Sequence, residues 1–459
     1  MTIYQQLAIR NLDDFIFGNS PNPVKLKNGM VIGGGMVFPE LNFTLPSMEI
    51  NERTLTEVHK QYEQMIGEAG ARAVELSAPG LVVEFELLPE LTRNPAWGVN
   101  VTKILKTALN DIQEKHGVKT ALRVTPNDIR EFERPPLMRR GDLLGQMMES
   151  FQECAKAGAD MLAIESTGGK ELHDDAILSG DLFMSVFALG VLGGRDMEFL
   201  WDKIVEISKE YGVIPSGDSA CGFANTAMVL AEKHFIPRVW AALIRVISVP
   251  RSLVAFERGA IGPSKDCAYE GVYLKAITGC PIALEGAESA CAHLSQIGNI
   301  TKALPDLWSN ESVQNVKLLS AMAPTVSVEQ LIYAARLMNA ATQESKEAAL
   351  TLRDLFTKSD AHLDPQAFVL RPDIVLEIAD EIISETGTYS RTRRAALAAL
   401  ASMRKAHAAG EFQLKKNEIR WLDKLSRMAD QLPQEEEKFI EMMIPQIPPG
   451  KILLSEYGF

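Results

Sequence analysis

The sequence has few cysteines, no basic excess and no long apolar run, and each absence narrows the protein's class. Five cysteines in 459 residues are too few and too scattered for a disulfide framework, so we expect a reducing, cytoplasmic setting. A net charge of −13 argues against nucleic acid or an anionic membrane as a partner. Acidic residues interrupt the N-terminal stretch, unlike a secretory signal. No stretch reaches the ~18 uninterrupted apolar residues of a membrane helix.

Short apolar runs alternate with helical patterns through the central part of the chain. This alternation is typical of a parallel βα protein, and the composition is that of a globular one. Four runs predict buried strands: 71–78, 119–126, 159–166 and 211–218. Two weaker candidates of the same kind are 252–259 and 281–288.

Polar and glycine-rich segments follow the predicted strands, at 165–171, 217–222 and 259–267. In a (β/α)8 barrel the active site is built from loops in this position, so the pattern predicts a TIM barrel. An open, doubly wound sheet would alternate in the same way, and periodicity alone leaves it open. We predict three parts, which are an N-terminal extension (1–70), the barrel (71–325) and a helical C-terminal layer (326–459).

Three side chains on these loops have metal-ligand chemistry. Glu165 ends one predicted strand, Cys221 follows another, and Cys267 follows a third. Zinc accepts mixed sulfur and oxygen ligands, and a catalytic zinc keeps three protein ligands with an open fourth position. The alternative is that the cysteines only pack, since free cysteine is among the most buried residue types and no CxxC or HExxH pattern is present. Spacing alone does not decide between the two.

Other candidate residues carry weaker signals. Cys154 and Cys280 lie in predicted core elements, whereas Cys291 and His293 are either a ligand pair or a polar cluster at a strand end. The glycine run at 32–40 is not a dinucleotide fingerprint, because Pro39 follows too soon for a helix to begin.

Several long blocks give the sequence a specific resemblance over its length. They include NPAWG (94–98), ESTGGKE (165–171), GDSACGFANTAM (217–228), PRSLVAFERGAIGPSKDCAYE (250–270), LKAITGCPIALEG (274–286) and LWSNESV (307–313). In these blocks the chain resembles the methanol:corrinoid methyltransferases of methanogens and acetogens.

The resemblance implies a fold, a metal and a partner. It implies a (β/α)8 barrel with extra helices and a zinc ion held by Glu165, Cys221 and Cys267. The methyl acceptor would be the Co(I) corrinoid of a separate corrinoid-binding protein, and the catalytic subunit would form a homodimer. Glu84 is a candidate catalytic acid.

Three positions depart from the family pattern. Leu87, Val124 and Val316 stand where the methanol enzymes have histidines. Aliphatic side chains would make the substrate pocket more apolar. We therefore hypothesise a methoxylated aromatic donor, with O-demethylation as the reaction. The alternatives are a true methanol enzyme, a metal-dependent hydrolase or aldolase on the same barrel, and a non-catalytic paralogue.

Overall fold

The computed structural model describes residues 2–44, 48–265, 268–292, 294–313 and 316–459. Eleven strands are assigned within these ranges. They are β1 (Asn19–Lys25), β2 (Val31–Gly34), β3 (Phe38–Thr44), β4 (Leu81–Leu87), β5 (Thr120–Pro126), β6 (Met161–Ile164), β7 (Ile214–Asp218), β8 (Ala283–Glu285), β9 (Leu307–Val313), β10 (Lys317–Leu318) and β11 (Ala321–Met322).

Helices follow most of the strands and then form the last third of the chain. The helices of the first part are α1 (Leu55–Glu75), α2 (Pro89–Arg93), α3 (Pro95–His116), α4 (Asp142–Lys156), α5 (Lys170–Ser179), α6 (Leu182–Val186), α7 (Gly194–Tyr211), α8 (Cys221–Glu232), α9 (Arg238–Ile247), α10 (Val249–Arg258), α11 (Gly271–Thr278) and α12 (Ala287–Ala292). Those of the last third are α13 (Ala323–Glu344), α14 (Lys346–Asp360), α15 (Pro365–Phe368), α16 (Pro372–Ile383), α17 (Thr388–Ala409), α18 (Lys416–Asp430) and α19 (Glu436–Met443).

The main sheet has seven parallel strands in the order β7-β6-β5-β4-β3-β9-β8. Segment 261–264 joins its two edges. The Ile261 N–H donates to the Pro215 carbonyl beside β7 at 2.9 Å, and Ser264 pairs in parallel with Ile282 beside β8. The sheet therefore closes through an irregular eighth strand, as a (β/α)8 barrel does.

A small apolar core fills the end of the barrel where the strands begin. It comes from alternate, inward-facing strand positions and from the β1–β2 hairpin, which covers that end. Its buried members are Leu26, Met30, Ile32, Phe38, Val82, Ala121, Met161, Ala283 and Leu307. With this end plugged, access to the barrel interior is from the opposite end, where the strands finish.

Interior polar groups bridge the barrel above this core. The Arg123 guanidinium on β5 donates to Glu40 on β3 at 2.9 Å and to the Pro263 carbonyl at 2.8 Å. Arg123 and Glu40 are both buried. Because Pro263 belongs to segment 261–264, this arginine links separate walls of the barrel.

The stretch Arg238–Arg258 is long and apolar enough to cross a membrane by length and composition, and it is buried inside the protein. It comprises α9 and α10, which pack against α7, α8 and α17 in the main core. The high apolar content of the stretch fits such a buried position.

The predicted (β/α)8 fold is confirmed, and four strand predictions match β5, β6, β7 and β8. Two were wrong. The run 71–78 contains the last turns of α1 and the turn after it, and 252–259 lies almost wholly in α10. The sheet takes its first strand from Phe38–Thr44, inside the predicted N-terminal extension. The division at residues 70 and 325 stays a prediction.

Candidate active site at the barrel mouth

Polar side chains line the interior of the barrel near the ends of the strands. Strand alternation turns Glu84 and Glu86 inward, in line with Asn42 on β3 and Thr125 on β5. The Thr125 hydroxyl donates to Glu84 Oε1 at 2.7 Å, and Asn42 Nδ2 donates to Glu86 Oε1 at 3.2 Å. The mouth is thus a polar, carboxylate-rich cavity.

Lys265 is the cation at the centre of these carboxylates. Its Nζ lies 2.5 Å from Glu165 Oε1 and 3.5 Å from Glu84 Oε1, and it also contacts Glu86. Burial disfavours the ammonium form, but the surrounding carboxylates outweigh this and hold the pKa of Lys265 well above its usual value. Lys265 therefore stays charged and neutralises part of the acidic cluster.

Glu165 directly follows β6 and points into the same cavity. Burial raises the pKa of Glu165 to about 7, against the lowering effect of Lys265. Burial, followed by the nearby Glu311 carboxylate, also raises the pKa of Glu285 well above its usual value. A cation beside such buried carboxylates stabilises their charged form.

Cys221 begins α8, immediately after β7. Because β6 and β7 are parallel neighbours, Glu165 and Cys221 lie at adjacent strand ends. The Asn225 amide donates to Cys221 Sγ at 3.0 Å. A Cβ added at Gly222 would lie 3.1 Å from Lys170 Cε, so the start of α8 packs closely on the segment after Glu165.

Cys267 lies outside the described residues, but its neighbours on both sides approach the other two predicted ligands. Lys265 contacts Glu165. Glu270 accepts the Ala220 N–H at 2.6 Å and the Ser252 hydroxyl at 2.9 Å. Ala220 immediately precedes Cys221, so Glu270 links the two cysteine-bearing loops. In the part of the chain that the structure describes, no three His, Cys, Asp or Glu side chains form a metal cluster.

A buried network fixes the loop that carries Glu165. Asp218 accepts the Ser166 hydroxyl at 2.7 Å and the Trp201 indole N–H at 3.1 Å. Arg251 donates to the Ser166 carbonyl at 2.6 Å and lies 3.3 Å from Asp218. Residues 166 and 218 flank the two strand ends, so the network sets the separation of Glu165 and Cys221.

Sequence reasoning missed the roles of Lys265, Glu270, Asp218 and Arg251. Each lies in a segment quoted in the sequence analysis, where it stands as a charged residue among mostly small or apolar ones. A charged residue in such a run indicates a buried partner, because an unpaired charge is costly to bury.

The three residues predicted to line the substrate pocket lie in two different environments. Leu87 and Val124 are buried on the outer side of their strands, in the core between barrel and helices. The Leu87 side chain packs beside Gly98 of α3. Val316 is 48% exposed and precedes the β10–β11 hairpin. The positions of Leu87 and Val124 therefore do not support a role in lining the substrate pocket.

The remaining candidates are placed as follows. Glu84 is buried in the cavity next to Thr125 and Lys265, and its catalytic role stays a prediction. Cys154 and Cys280 are buried, as core residues should be, whereas Cys291 is exposed. His293 lies outside the described residues.

Comparison with known proteins matches this architecture. The family model described as methanol-cobalamin methyltransferase B subunit matches residues 1–453. The chain belongs to this family. It is 37% identical over 444 residues to a methanol–corrinoid protein co-methyltransferase of Methanosarcina barkeri, covering 95% of each chain. The crystal structure of the methanol:cobalamin methyltransferase complex MtaBC from the same organism matches with a TM-score of 0.95 and 35% identity, covering 100% of both chains.

Membership of the B-subunit family makes the protein a methyltransferase, as the sequence predicted. A hydrolase or aldolase on the same barrel has no support from these relatives. The hypothesis of a methoxylated aromatic donor is also not supported, and the methanol alternative fits better. Two of the three substitutions on which that hypothesis depended lie in the outer core and not in the mouth.

Proposed function

We propose that this B-subunit homologue transfers the methyl group of methanol to the Co(I) corrinoid of a separate protein, with zinc as its metal. One observation carries the proposal: Glu165 and Cys221 lie at adjacent strand ends of a polar barrel mouth. The described relative is a methanol–corrinoid protein co-methyltransferase and supplies the reaction class.

The side chains present fit a zinc ion. Glu165 offers a carboxylate, Cys221 offers a sulfur atom that accepts a hydrogen bond from Asn225, and Cys267 is the third predicted ligand. A three-ligand Glu/Cys/Cys set leaves one coordination position for an alcohol oxygen. When bound, zinc would supply Lewis acidity toward that oxygen.

The residues of the chain have defined tasks in the transfer. The carbon–oxygen bond breaks with its electron pair going to oxygen, and the pair for the new cobalt–carbon bond comes from Co(I). The departing hydroxide takes up a proton to become water. Glu84 is the predicted donor of that proton, and its contacts with Thr125 and Lys265 hold it in the cavity. Lys265 lowers the cost of holding several carboxylates close together.

The donor follows from the chemistry of the mouth. The inward-facing positions near the strand ends are polar, including Asn42, Glu86, Thr125 and Lys265. Hydrogen-bonding groups of this kind suit a small alcohol, whereas an aromatic ring gains most from an apolar wall. We therefore propose methanol as the donor.

The partner and setting are proposed with the reaction. The related B subunit was crystallised as the complex MtaBC, so we propose a corrinoid-binding protein as the partner that covers the barrel mouth. We also propose a homodimer of this chain and a cytoplasmic location, both of which are expected from the sequence.

The zinc content of the purified protein and of its variants tests the metal site of this function. We expect purified protein to contain about one zinc per chain, and Cys221→Ala and Glu165→Gln to lose most of it. Cys280→Ala, which removes a buried cysteine outside the mouth, is the matched control and should keep its zinc. Full zinc content in both ligand variants would refute the assignment.

A further inference from the structure

Residues 454–459 pack against the loop that carries Glu165. We call this piece the closing segment, and residues 165–169 the Glu165 loop. The closing segment begins with a short 3-10 turn, Leu454–Tyr457. The Tyr457 hydroxyl accepts the Gly169 N–H at 3.1 Å, and Tyr457 is only 2% exposed. A side chain 288 positions away in the sequence thus holds the far end of the loop.

The closing segment is itself fixed at two further points. Glu456 accepts the Arg139 N–H at 2.9 Å and pairs with the Arg140 guanidinium at 2.7 Å. The Arg195 guanidinium lies 4.0 Å from the centre of the Phe459 ring. Burial raises the pKa of Tyr457 well above its usual value, so its hydroxyl stays protonated. These contacts anchor Tyr457 firmly enough to hold Gly169.

The Glu165 loop has little room to adopt another conformation. Gly169 has φ +87, and a Cβ there would lie 2.4 Å from the Ala188 carbonyl oxygen. A Cβ on Gly168 would lie 2.4 Å from Asp196. The Thr167 N–H donates to Asp128 at 2.9 Å. Asp128 fixes the middle of the loop and Tyr457 fixes its end.

We infer that Tyr457 is a positioning residue for the metal site, acting through the Glu165 loop. The inference rests on the proposed function, because it concerns the affinity of the Glu165 ligand set. Outer partners that orient metal ligands change metal affinity about 10–100-fold when they are lost. The hydrogen bond of the Tyr457 hydroxyl goes to Gly169, so its effect passes through the backbone from Gly169 to Glu165.

Tyr457→Phe tests the inference, because it keeps the buried ring and removes only the hydroxyl. We expect zinc affinity, measured by chelator competition, to fall about 10-fold. The absorption bands of the Co²⁺-substituted protein should also change, since they report ligand geometry. Amide hydrogen exchange at Gly169 should become faster.

Tyr389→Phe is the matched control. Tyr389 is also a buried tyrosine, and its hydroxyl donates to the Pro433 carbonyl at 2.6 Å, in the C-terminal helical part of the chain. Its loss should cost similar stability and leave zinc affinity, the cobalt spectrum and Gly169 exchange unchanged.

Two outcomes would overturn the inference, and they differ from failure of the proposed function. If native protein binds zinc and Tyr457→Phe binds it equally well with an unchanged cobalt spectrum, Tyr457 does not position the site. If Gly169 exchange is also unchanged, the hydrogen bond does not hold the loop. If the native protein binds no zinc at all, the proposed function fails first, and Gly169 exchange still tests the contact.

Discussion

His173 is a buried imidazole in α5, close to the Glu165 loop. Its ring packs on Phe223 at a centroid distance of 5.1 Å. Neither ring nitrogen hydrogen-bonds to a described residue. Burial, with the nearby charges of Lys170 and Arg251, lowers the pKa of His173 to about 3. The native fold therefore requires the neutral ring.

This lowered pKa predicts a loss of stability in mild acid. Between pH 6.5, the ordinary histidine value, and pH 3, the unfolded chain binds a proton that the folded chain does not. The free energy of unfolding should therefore fall as pH drops through this window, by up to about 1.4 kcal/mol per pH unit. His173→Gln should flatten the slope in denaturant titrations across this range, and the exposed-site control His116→Gln should not. An identical slope in His173→Gln and native protein would contradict the assignment.

Leu87 tests the placement of the outer core. Leu87→His should lower the free energy of unfolding by about 1–3 kcal/mol, because the ring nitrogens lose water without gaining a partner. It should not change which donor is used. Val316→His, at a position that is 48% exposed, should stay within about 0.5 kcal/mol of native protein. A change of donor preference in Leu87→His without a loss of stability would place Leu87 in the mouth.

At the residue scale, the sequence was sufficient to place Glu165 and Cys221 after two strands of the barrel, because an apolar run predicts each strand. Their role as metal ligands stays a prediction. The sequence was not sufficient for Leu87 and Val124. Inward and outward positions differ by one residue along a strand, so a motif alignment without strand register cannot tell which way a side chain points. Lys265 was missed because its carboxylate partners, Glu84 and Glu86 on β4 and Glu165 after β6, are far from it in the sequence.

At the scale of elements, the errors have physical causes. The strand β4, LVVEFEL, alternates apolar and acidic residues because Glu84 and Glu86 face a polar mouth and not a dry core. Its pattern therefore lacks the continuous apolar run of a typical parallel strand. The stretch 252–259 contains the apolar run LVAF but forms α10, because a short apolar run does not distinguish a buried strand from part of a buried helix.

Arg123 donates to Glu40 on β3 and to the Pro263 carbonyl of segment 261–264. Removing it should therefore lower the free energy of unfolding. Arg123→Met leaves the buried Glu40 carboxylate without its partner, and we expect the free energy of unfolding to fall by about 3–5 kcal/mol. The double variant Arg123→Met/Glu40→Gln should recover part of this, because no unpaired charge remains. Equal losses in the single and double variants, measured by denaturant unfolding, would show that the unpaired Glu40 carboxylate does not cause the loss.

At the scale of the whole molecule, one end of the barrel is plugged and the other is polar. The β1–β2 hairpin and the apolar interior layer fill the first end. Glu165, Cys221 and Lys265 belong to loops at the second end, where the partner would have to bring its cobalt. The polar loops after the predicted strands indicated a barrel, but the alternation alone left an open sheet possible. The closure could not be predicted, because segment 261–264 is too short and irregular to be recognised as a strand.

The most direct test of the proposed function is the formation of methyl-Co(III) from Co(I), followed by absorbance with zinc-loaded enzyme and a corrinoid acceptor protein. Methanol and a set of methoxybenzoates would be compared as donors, with Cys221→Ala as the inactive control. We predict rapid methylation from methanol, none above background from the methoxyarenes, and none from the variant. Methylation from methoxyarenes but not from methanol would contradict the proposed donor, and full activity of Cys221→Ala would contradict the metal site.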